Sequence, residues 1–483
     1  MSIITEYYTQ AELALAAYST LTTGMLKDDY INALKDNGKG MSENQASEFA
    51  ANWSVVDQFS GISGVSATVF KEKETGKTFL AIRGTNNLGD ITADYIIEAG
   101  FPSSLNPQFI QLQNQVSQWL AAGKLSSGFT IAGHSIGGYL AAAIGTAFSA
   151  ESAAVYTFNA PGLGSGYGNI FDAFRAAFGL SDTALIDGII NVRGTAGISL
   201  ISGTGAQLSP PVLVETESSL SPFANHSIVG LTDALAVYCL FAEMSPNLTI
   251  EDISGIIRAD SYQADMALET TVQKLADIFI SNAPRIASGD REELYAAIQT
   301  LPTLKHDHPN LQINSLAGLS ESAIASLAEA QGESGLATRY ALVSLNPFTV
   351  TGESGLYDRF NANGELDICT NTNQDGDLSS QYIEDRAKFL YYLAHSDATV
   401  SNFDPDIDFV DNRLGVSLEV DNGMIGLDAD SQYLFGNLEG EHLEGGSAID
   451  HLYGMDGDDS LIGNDGEDYL EGGKGQDTLN GGS

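Results

Sequence analysis

Apolar positions along the first 240 residues alternate between a helical and a strand period. Leu13, Ala16 and Ala17 follow helical spacing behind Thr9-Gln-Ala-Glu12, which has the form of a capping box and predicts a helix starting there. Ser42, with Gln45 three residues on, predicts a second start. The period then shortens, and residues 66–71 and 77–83 read as two strands about Glu74-Thr75-Gly76, a hairpin signal. Phe109, Leu112, Val116 and Trp119 mark an amphipathic helix, 129–132 a short buried strand, 139–148 a helix of small residues, and 153–158 and 189–192 further strands. A hairpin followed by strand–helix–strand units predicts an α/β domain with a mostly parallel sheet over residues 1–240.

Beyond residue 240 the pattern changes. Residues 241–345 read as a helical extension: Thr249-Ile-Glu-Asp252 resembles a capping box, and Leu268, Val272, Leu275 and Phe279 share one face. Residues 346–435 form an Asp-rich connecting region of poor periodicity, with one helix near 381–394. There Asn371-Thr-Asn373-Gln-Asp375-Gly376-Asp377 imitates the start of an EF-hand loop. Its twelfth position is Tyr382 where a bidentate Glu is required, so an Asx-rich turn is the expected reading. From 436 to 483 the chain repeats every nine residues. Gly436, Gly445, Gly454, Gly463, Gly472 and Gly481 open successive units, the eighth place is leucine from Leu443 to Leu479, and the sixth is Glu441, Asp450, Asp459, Asp468 and Asp477.

Charge gives that array its meaning. The 483 residues carry a formal charge of −42, which argues against nucleic acid and anionic membranes as electrostatic partners and favours cations. Residues 436–483 hold twelve acidic side chains against the single Lys474, and these repel one another unless a cation lies between them. Glycine permits the tight turn, the acid at position six faces a cation shared by stacked turns, and leucine faces the interior of a parallel β-roll. Calcium is therefore the expected cofactor. The expected ligand set comprises Asp450, Asp459, Asp468 and Asp477, with Asp456 and Asp465 earlier in their turns and the glycines Gly454, Gly457, Gly463, Gly466 and Gly475 shaping them.

The motif resembles the repeats-in-toxin (RTX) family pattern GGxGxDxUx, from which the first unit departs with Glu439 and Glu441. The resemblance implies secretion through a one-step channel and calcium-driven folding outside the cell. The N-terminal residues lack a basic region followed by an apolar core, so no cleaved signal peptide is expected, and no run is long enough for a membrane span. Two cysteines, Cys239 and Cys369, are too few for a disulfide framework.

Gly133-His134-Ser135-Ile136-Gly137 fits G-x-S-x-G, with an apolar strand before it and a helix after it, the context that strains a serine outward at the end of a sheet. Upstream, Phe79-Leu-Ala-Ile-Arg83-Gly84-Thr85 ends a strand in a tight loop; downstream lies Tyr156-Thr-Phe-Asn-Ala-Pro161-Gly162. These features together resemble the class 3 lipase family, an α/β-hydrolase fold. The resemblance implies Ser135 as nucleophile, the Ile136 amide and Thr85 as the oxyanion hole, and a lid from the loop after Thr85. His226 is the expected base, because the other histidines fall in the repeats, the helical parts or beside the serine itself.

The family's aspartate is replaced by Arg193-Gly194-Thr195-Ala196-Gly197. A relocated carboxylate (Asp187, Glu215, Glu217 or Asp233), a neutral orienting group (Thr195 or Asn191) and a Ser–His pair stay open, with Asp187 carried as the candidate acid. The leading expectation is a secreted carboxylic-ester hydrolase acting on lipid esters, triacylglycerol or phospholipid, at a membrane or lipid-droplet surface. The alternative is a calcium-dependent surface or adhesion protein with a silent hydrolase-like domain.

Overall fold

The computed structural model describes residues 2–35, 40–84, 107–162, 188–195, 197, 202, 207, 209–219, 221–262, 266–306, 308–369, 376–395, 406–421 and 430–483. The chain divides into two compact units, one of residues 1–246 with 285–302, the other of 247–284 with 303–483. The first unit's main segment ends at 246, near the boundary expected at 240, and the chain returns to that unit at 285–302, inside the expected helical extension.

In the first unit, α1 (Ile3–Ala16) starts ahead of the expected capping box. Ser2 is its cap, accepting from the Thr5 amide at 3.1 Å, while Thr9 lies inside the helix and donates its hydroxyl to the Thr5 carbonyl at 2.9 Å. The box pattern was real but an earlier serine satisfied the free amides first. After α2 (Lys27–Leu34), Ser42 caps α3 (Glu43–Asn52) as expected.

Seven strands follow in one sheet in chain order. β1 (Trp53–Ser60), β2 (Ser66–Glu72) and β3 (Thr78–Arg83) are antiparallel, and β4 (Phe129–His134), β5 (Ser152–Phe158), β6 (Ile189–Gly194) and β7 (Pro211–Val214) add on in parallel. α4 (Pro107–Ala121) and α5 (Ile136–Ala147) cover one face: Phe109, Leu112, Val116 and Trp119 share a core with Leu140, Ile144, Leu80 and Ile131. α1 also packs on the sheet, with Tyr7 edge-on to Tyr156 of β5 and the helix lying along α7 (Ile228–Met244), which follows the short α6 (Pro222–Asn225). Parallel strands covered on both faces are buried throughout, as Phe129 and Ile131–His134 are. This is an α/β-hydrolase architecture, and it brings the carboxyl ends of β3, β4, β5 and β6 to one edge, where α/β enzymes hold their ligands.

The second unit contains α8 (Ile250–Ala259), α9 (Ala267–Phe279), most of the sequence after α10 (Arg291–Leu304), a β8 (Gln312–Ser315) and β9 (Phe348–Thr351) pair, and α11 (Glu321–Glu329), α12 (Glu333–Val343) and α13 (Ser380–Ala394). Two sheets close it. One runs β11 (Val416–Val420), β10 (Ile407–Asp411), β12 (Ser431–Phe435), β14 (His451–Tyr453), β16 (Tyr469–Glu471); the other runs β13 (His442–Glu444), β15 (Ser460–Ile462), β17 (Thr478–Asn480). The repeats alternate between these sheets as a parallel β-roll, pairing His442 with Ser460 and His451 with Tyr469. Leu443, Leu452 and Leu461 are buried between them, and Leu479 in the last turn is exposed. The roll does not stand apart: β12 and β14 pair directly, so the Asp-rich region read as aperiodic supplies the sheet onto which the repeats stack.

Candidate active site and calcium-binding repeats

Ser135 joins β4 to α5 with φ 59° and ψ −132°, a left-handed conformation that non-glycine residues adopt only under local constraint. The constraint is visible in the glycines around it. A Cβ on Gly137 would strike the Ile82 carbonyl, one on Gly133 the Gly137 carbonyl, and one on Gly84 would come within 2.7 Å of the His134 carbonyl oxygen. The turn therefore depends on three close backbone approaches. Ser135 and His226 are both buried, and His226 Nε2 lies 2.9 Å from Ser135 Oγ. Burial holds the His226 imidazole down to about 4, so it is neutral at physiological pH, the form in which a ring nitrogen accepts a proton. The Ile136 amide is the first of α5, and no serine side chain caps this helix start.

His134 has a second task that its sequence position beside the nucleophile did not reveal. One ring nitrogen lies 2.8 Å from the His226 carbonyl, which only accepts, so Nε2 carries the proton and Nδ1 accepts from the Tyr18 hydroxyl at 2.7 Å. Burial, then the neighbouring His226, hold His134 down to about 3, opposed by that hydrogen bond to the carbonyl. The Gly84 amide donates to the Tyr18 oxygen. On the other side Asn159, at φ 44° just past β5, donates to the same His226 carbonyl at 3.3 Å and accepts from the Gly194 amide at 3.0 Å. One chain of hydrogen bonds thus ties the ends of β3, β4, β5 and β6 to the histidine loop. Tyr18 and Asn159 had no sequence signal for this, apart from the position of Asn159 immediately before Ala160-Pro161.

Three of the remaining orienting candidates, Asp233, Asn191 and Thr195, have other side-chain partners. Asp233 receives Arg291 at 2.6 and 2.8 Å and the Tyr295 hydroxyl at 2.8 Å. Asn191 bonds Thr157 and Gln207, and the Thr195 hydroxyl donates to the Val214 carbonyl. Glu215 is buried and its main-chain amide donates to the Tyr238 hydroxyl, a contact that does not engage its carboxylate. Thr85, its following loop and Asp187 lie outside the described residues, as do 371–375 of the EF-hand-like run. Asp377 in that run pairs with Lys474.

In the repeats, each sixth-position aspartate accepts from the amide eighteen residues earlier. Asp459 Oδ1 takes the Glu441 amide at 2.7 Å, Asp468 that of Asp450 at 3.0 Å, and Asp477 that of Asp459 at 3.0 Å. The Oδ2 atoms of Asp459 and Asp468 are buried with no protein partner. A Cβ on Gly454 would sit 2.5 Å from the Asp459 Oδ2, and Gly463 makes the same approach to Asp468. A buried carboxylate oxygen without a donor is costly, and a hard cation such as calcium satisfies it. Among the described residues no three His, Cys, Asp or Glu side chains converge as a metal site. The expected ligands Asp456 and Asp465 are exposed, Asp465 accepting from the Ser483 hydroxyl. Burial, opposed by the Glu441 amide, raises the Asp459 carboxyl, and nearby Asp477, Glu441 and Asp458 raise it further.

Residues 436–483 match the family model of the RTX calcium-binding nonapeptide repeat, in four copies. The segment is an array of calcium-binding repeats, and the orphaned oxygens of Asp459 and Asp468 fit the ion. No curated protein matches the chain. Among solved structures it is similar to the Lip2 lipase from Yarrowia lipolytica (18% identity, 46% of this chain and 82% of that one, TM-score 0.30). It is also similar to the Rhizomucor miehei lipase propeptide complex (14%, 42% and 63%, 0.25). With the extracellular lipase LipA from Serratia marcescens the identity is 15%, over 98% of this chain and 66% of that one, at a TM-score of 0.25. No helix among the described residues is long and apolar enough to cross a membrane.

Proposed function

We propose that the protein is a secreted, calcium-binding carboxylic-ester hydrolase that acts on lipid esters, triacylglycerol or phospholipid. The observation that carries this reading is the 2.9 Å contact between His226 Nε2 and a serine hydroxyl held at φ 59°. Ser135 Oγ attacks the ester carbonyl carbon while its proton passes to His226 Nε2. The negative charge gathered on the carbonyl oxygen is met by the Ile136 amide at the positive end of α5, with Thr85 as the second donor. The carbon–oxygen bond to the alcohol then breaks, and His226 returns the proton to the departing alkoxide. Water attacks the acyl-serine by the same route in reverse, releasing the acid. Asp187 is kept as the proposed orienting acid. His134 and Asn159 hold the main chain of His226, so they act as positioning residues.

The cation, when bound, neutralises carboxylates that otherwise repel within the roll. Asp459, Asp468 and Asp477 would hold it, and secretion through a channel that exports the chain before it folds is part of the same proposal.

The experiment is hydrolysis of p-nitrophenyl butyrate, with calcium, by the wild-type protein and Ser135→Ala. A loss of about 10⁴-fold or more in kcat is expected. Equal rates in the two proteins would refute the enzyme reading and leave a silent hydrolase-like domain in a surface protein.

A further inference from the structure

The nine-residue units look alike in sequence but build two kinds of turn. In the last three units, position two is left-handed and position four is glycine in a region closed to other residues: Met455 at φ 74° with Gly457 at 129°, Asn464 at 73° with Gly466 at 143°, and Gly473 at 91° with Gly475 at 147°. In the first two units, 436–453, no residue has positive φ, and position four is Glu439 or Ala448. The carboxylates follow this division. In the early turns the second-position amide points at the sixth-position acid: Asn437 donates to Glu441 Oε2 and Gly446 to Asp450 Oδ2, both at 2.5 Å. Their other oxygens are also taken, Glu441 Oε1 by the Asn412 amide nitrogen at 3.1 Å and Asp450 Oδ1 by the Gln432 amide at 2.8 Å. In the later turns Asp459 Oδ2 and Asp468 Oδ2 have no donor, and Asp459 is 2% exposed.

The early turns also have an anchor. Asp385 of α13 accepts from His451 and from the Tyr453 hydroxyl, each at 2.5 Å. Tyr453 stacks on Phe435 at 5.1 Å, and both belong to the core that holds Phe389, Leu390 and Phe409. Counting back from Gly436 by nine, Gln432 and Leu434 fall at the sixth and eighth places, so β12 is a turn of the roll whose acid has become glutamine.

We propose that calcium binds only in the last three turns, 454–483, at Asp459, Asp468 and Asp477, and that residues 431–453 form a stem that folds without it. In the stem, protein amides do for Glu441 and Asp450 what the ion does for Asp459 and Asp468. Asp450 is then a structural cap and not a ligand, contrary to its expected role. The inference is independent of the ester-hydrolase reading, since it rests only on the repeats.

Hydrogen exchange on the full-length protein tests it, in calcium and in excess EDTA. Residues 454–483 are expected to lose at least about 100-fold in protection when calcium is removed, while 431–453 and 380–394 change by less than about 10-fold. Loss of protection through 431–453 together with 454–483, or no loss in either, overturns the proposal. Calcium stoichiometry by native mass spectrometry at saturating calcium supplies the second test. Asp459→Asn is expected to bind at least one ion fewer than wild type, and Asp450→Asn the same number. A missing ion in Asp450→Asn, or none missing in Asp459→Asn, overturns it equally.

Discussion

Removing the Tyr18 hydroxyl and the His134 ring, singly and together, asks whether the hydrogen-bond chain behind the nucleophile positions the base. Tyr18→Phe deletes the donor to His134 Nδ1, in a side chain 5% exposed, and leaves the Gly84 amide without its acceptor. Leaving a buried polar atom unsatisfied costs about 1–3 kcal/mol. His134→Phe strands the Tyr18 hydroxyl and removes a donor to the His226 carbonyl, which Asn159 also meets at 3.3 Å. Its cost in stability falls in the same range of about 1–3 kcal/mol. In the double variant the Tyr18–His134 bond is lost once, with apolar groups on both sides, so its cost should fall short of the sum by about 1–2 kcal/mol. The kinetic signature differs from that of a structural bond elsewhere. The His226 main chain moves while the substrate's surroundings do not, so His134→Phe should lower kcat by about 10–100-fold with KM little changed. His134→Gln, which keeps an N–H for the carbonyl, should recover part of the loss. Urea unfolding in calcium and p-nitrophenyl butyrate kinetics on the four proteins provide the measurements. Additivity within about 0.4 kcal/mol, or an unchanged kcat in His134→Phe, would refute the reasoning.

Two further outcomes concern the first unit. Glu12 accepts from Tyr8 at 2.8 Å and Gln45 at 3.1 Å, and burial pushes its carboxyl up from 4.5 to about 8. Between those values the folded state holds a proton that the unfolded state has released, so this group's contribution declines as pH rises from about 4.5 and is gone above about 8, at up to ~1.4 kcal/mol per pH unit. Thermal melts of Glu12→Gln between pH 5 and 8 should show a flatter decline than wild type; parallel curves would contradict this. Arg291→Ala leaves Asp233 with Tyr295 as its remaining donor and should destabilise the unit by about 3–5 kcal/mol, whereas Arg291→Met with Asp233→Leu should recover much of that in the same denaturation assay.

What the sequence disclosed was chemistry encoded at short range. The strand, the G-x-S-x-G turn and the following helix occupy one continuous stretch, and each requires particular residues at particular steps. The roll is similarly local, because each unit repeats the same turn. The partnership of Ser135 with His226 was reached by eliminating other histidines, and it spans 91 positions. Tyr18, Asn159 and Arg291 were not legible because their roles arise only when distant strand ends meet, and nothing in their own neighbourhoods distinguishes them. β1 escaped notice because Val56–Gln58 are only half-buried, which blurs its alternation. β12 was hidden for a different reason: the acid that would have announced an extra turn is Gln432. At Thr9 the local pattern was actively misleading, since Ser2 offered the helix an earlier beginning.

The chain's return to the first unit at residues 285–302 dictates an order of assembly. A nascent or emerging polypeptide presents Asp233 well before Arg291, its bidentate counter-ion. Until that arginine arrives, α7 would have to sink a bare carboxylate beside the helices of the unit. A fragment stopped at the end of the apparent catalytic segment, near 246, would therefore carry the serine and the histidine yet be left with an uncompensated anion in its interior. Autonomy of the hydrolase half begins only about where α10 has been delivered.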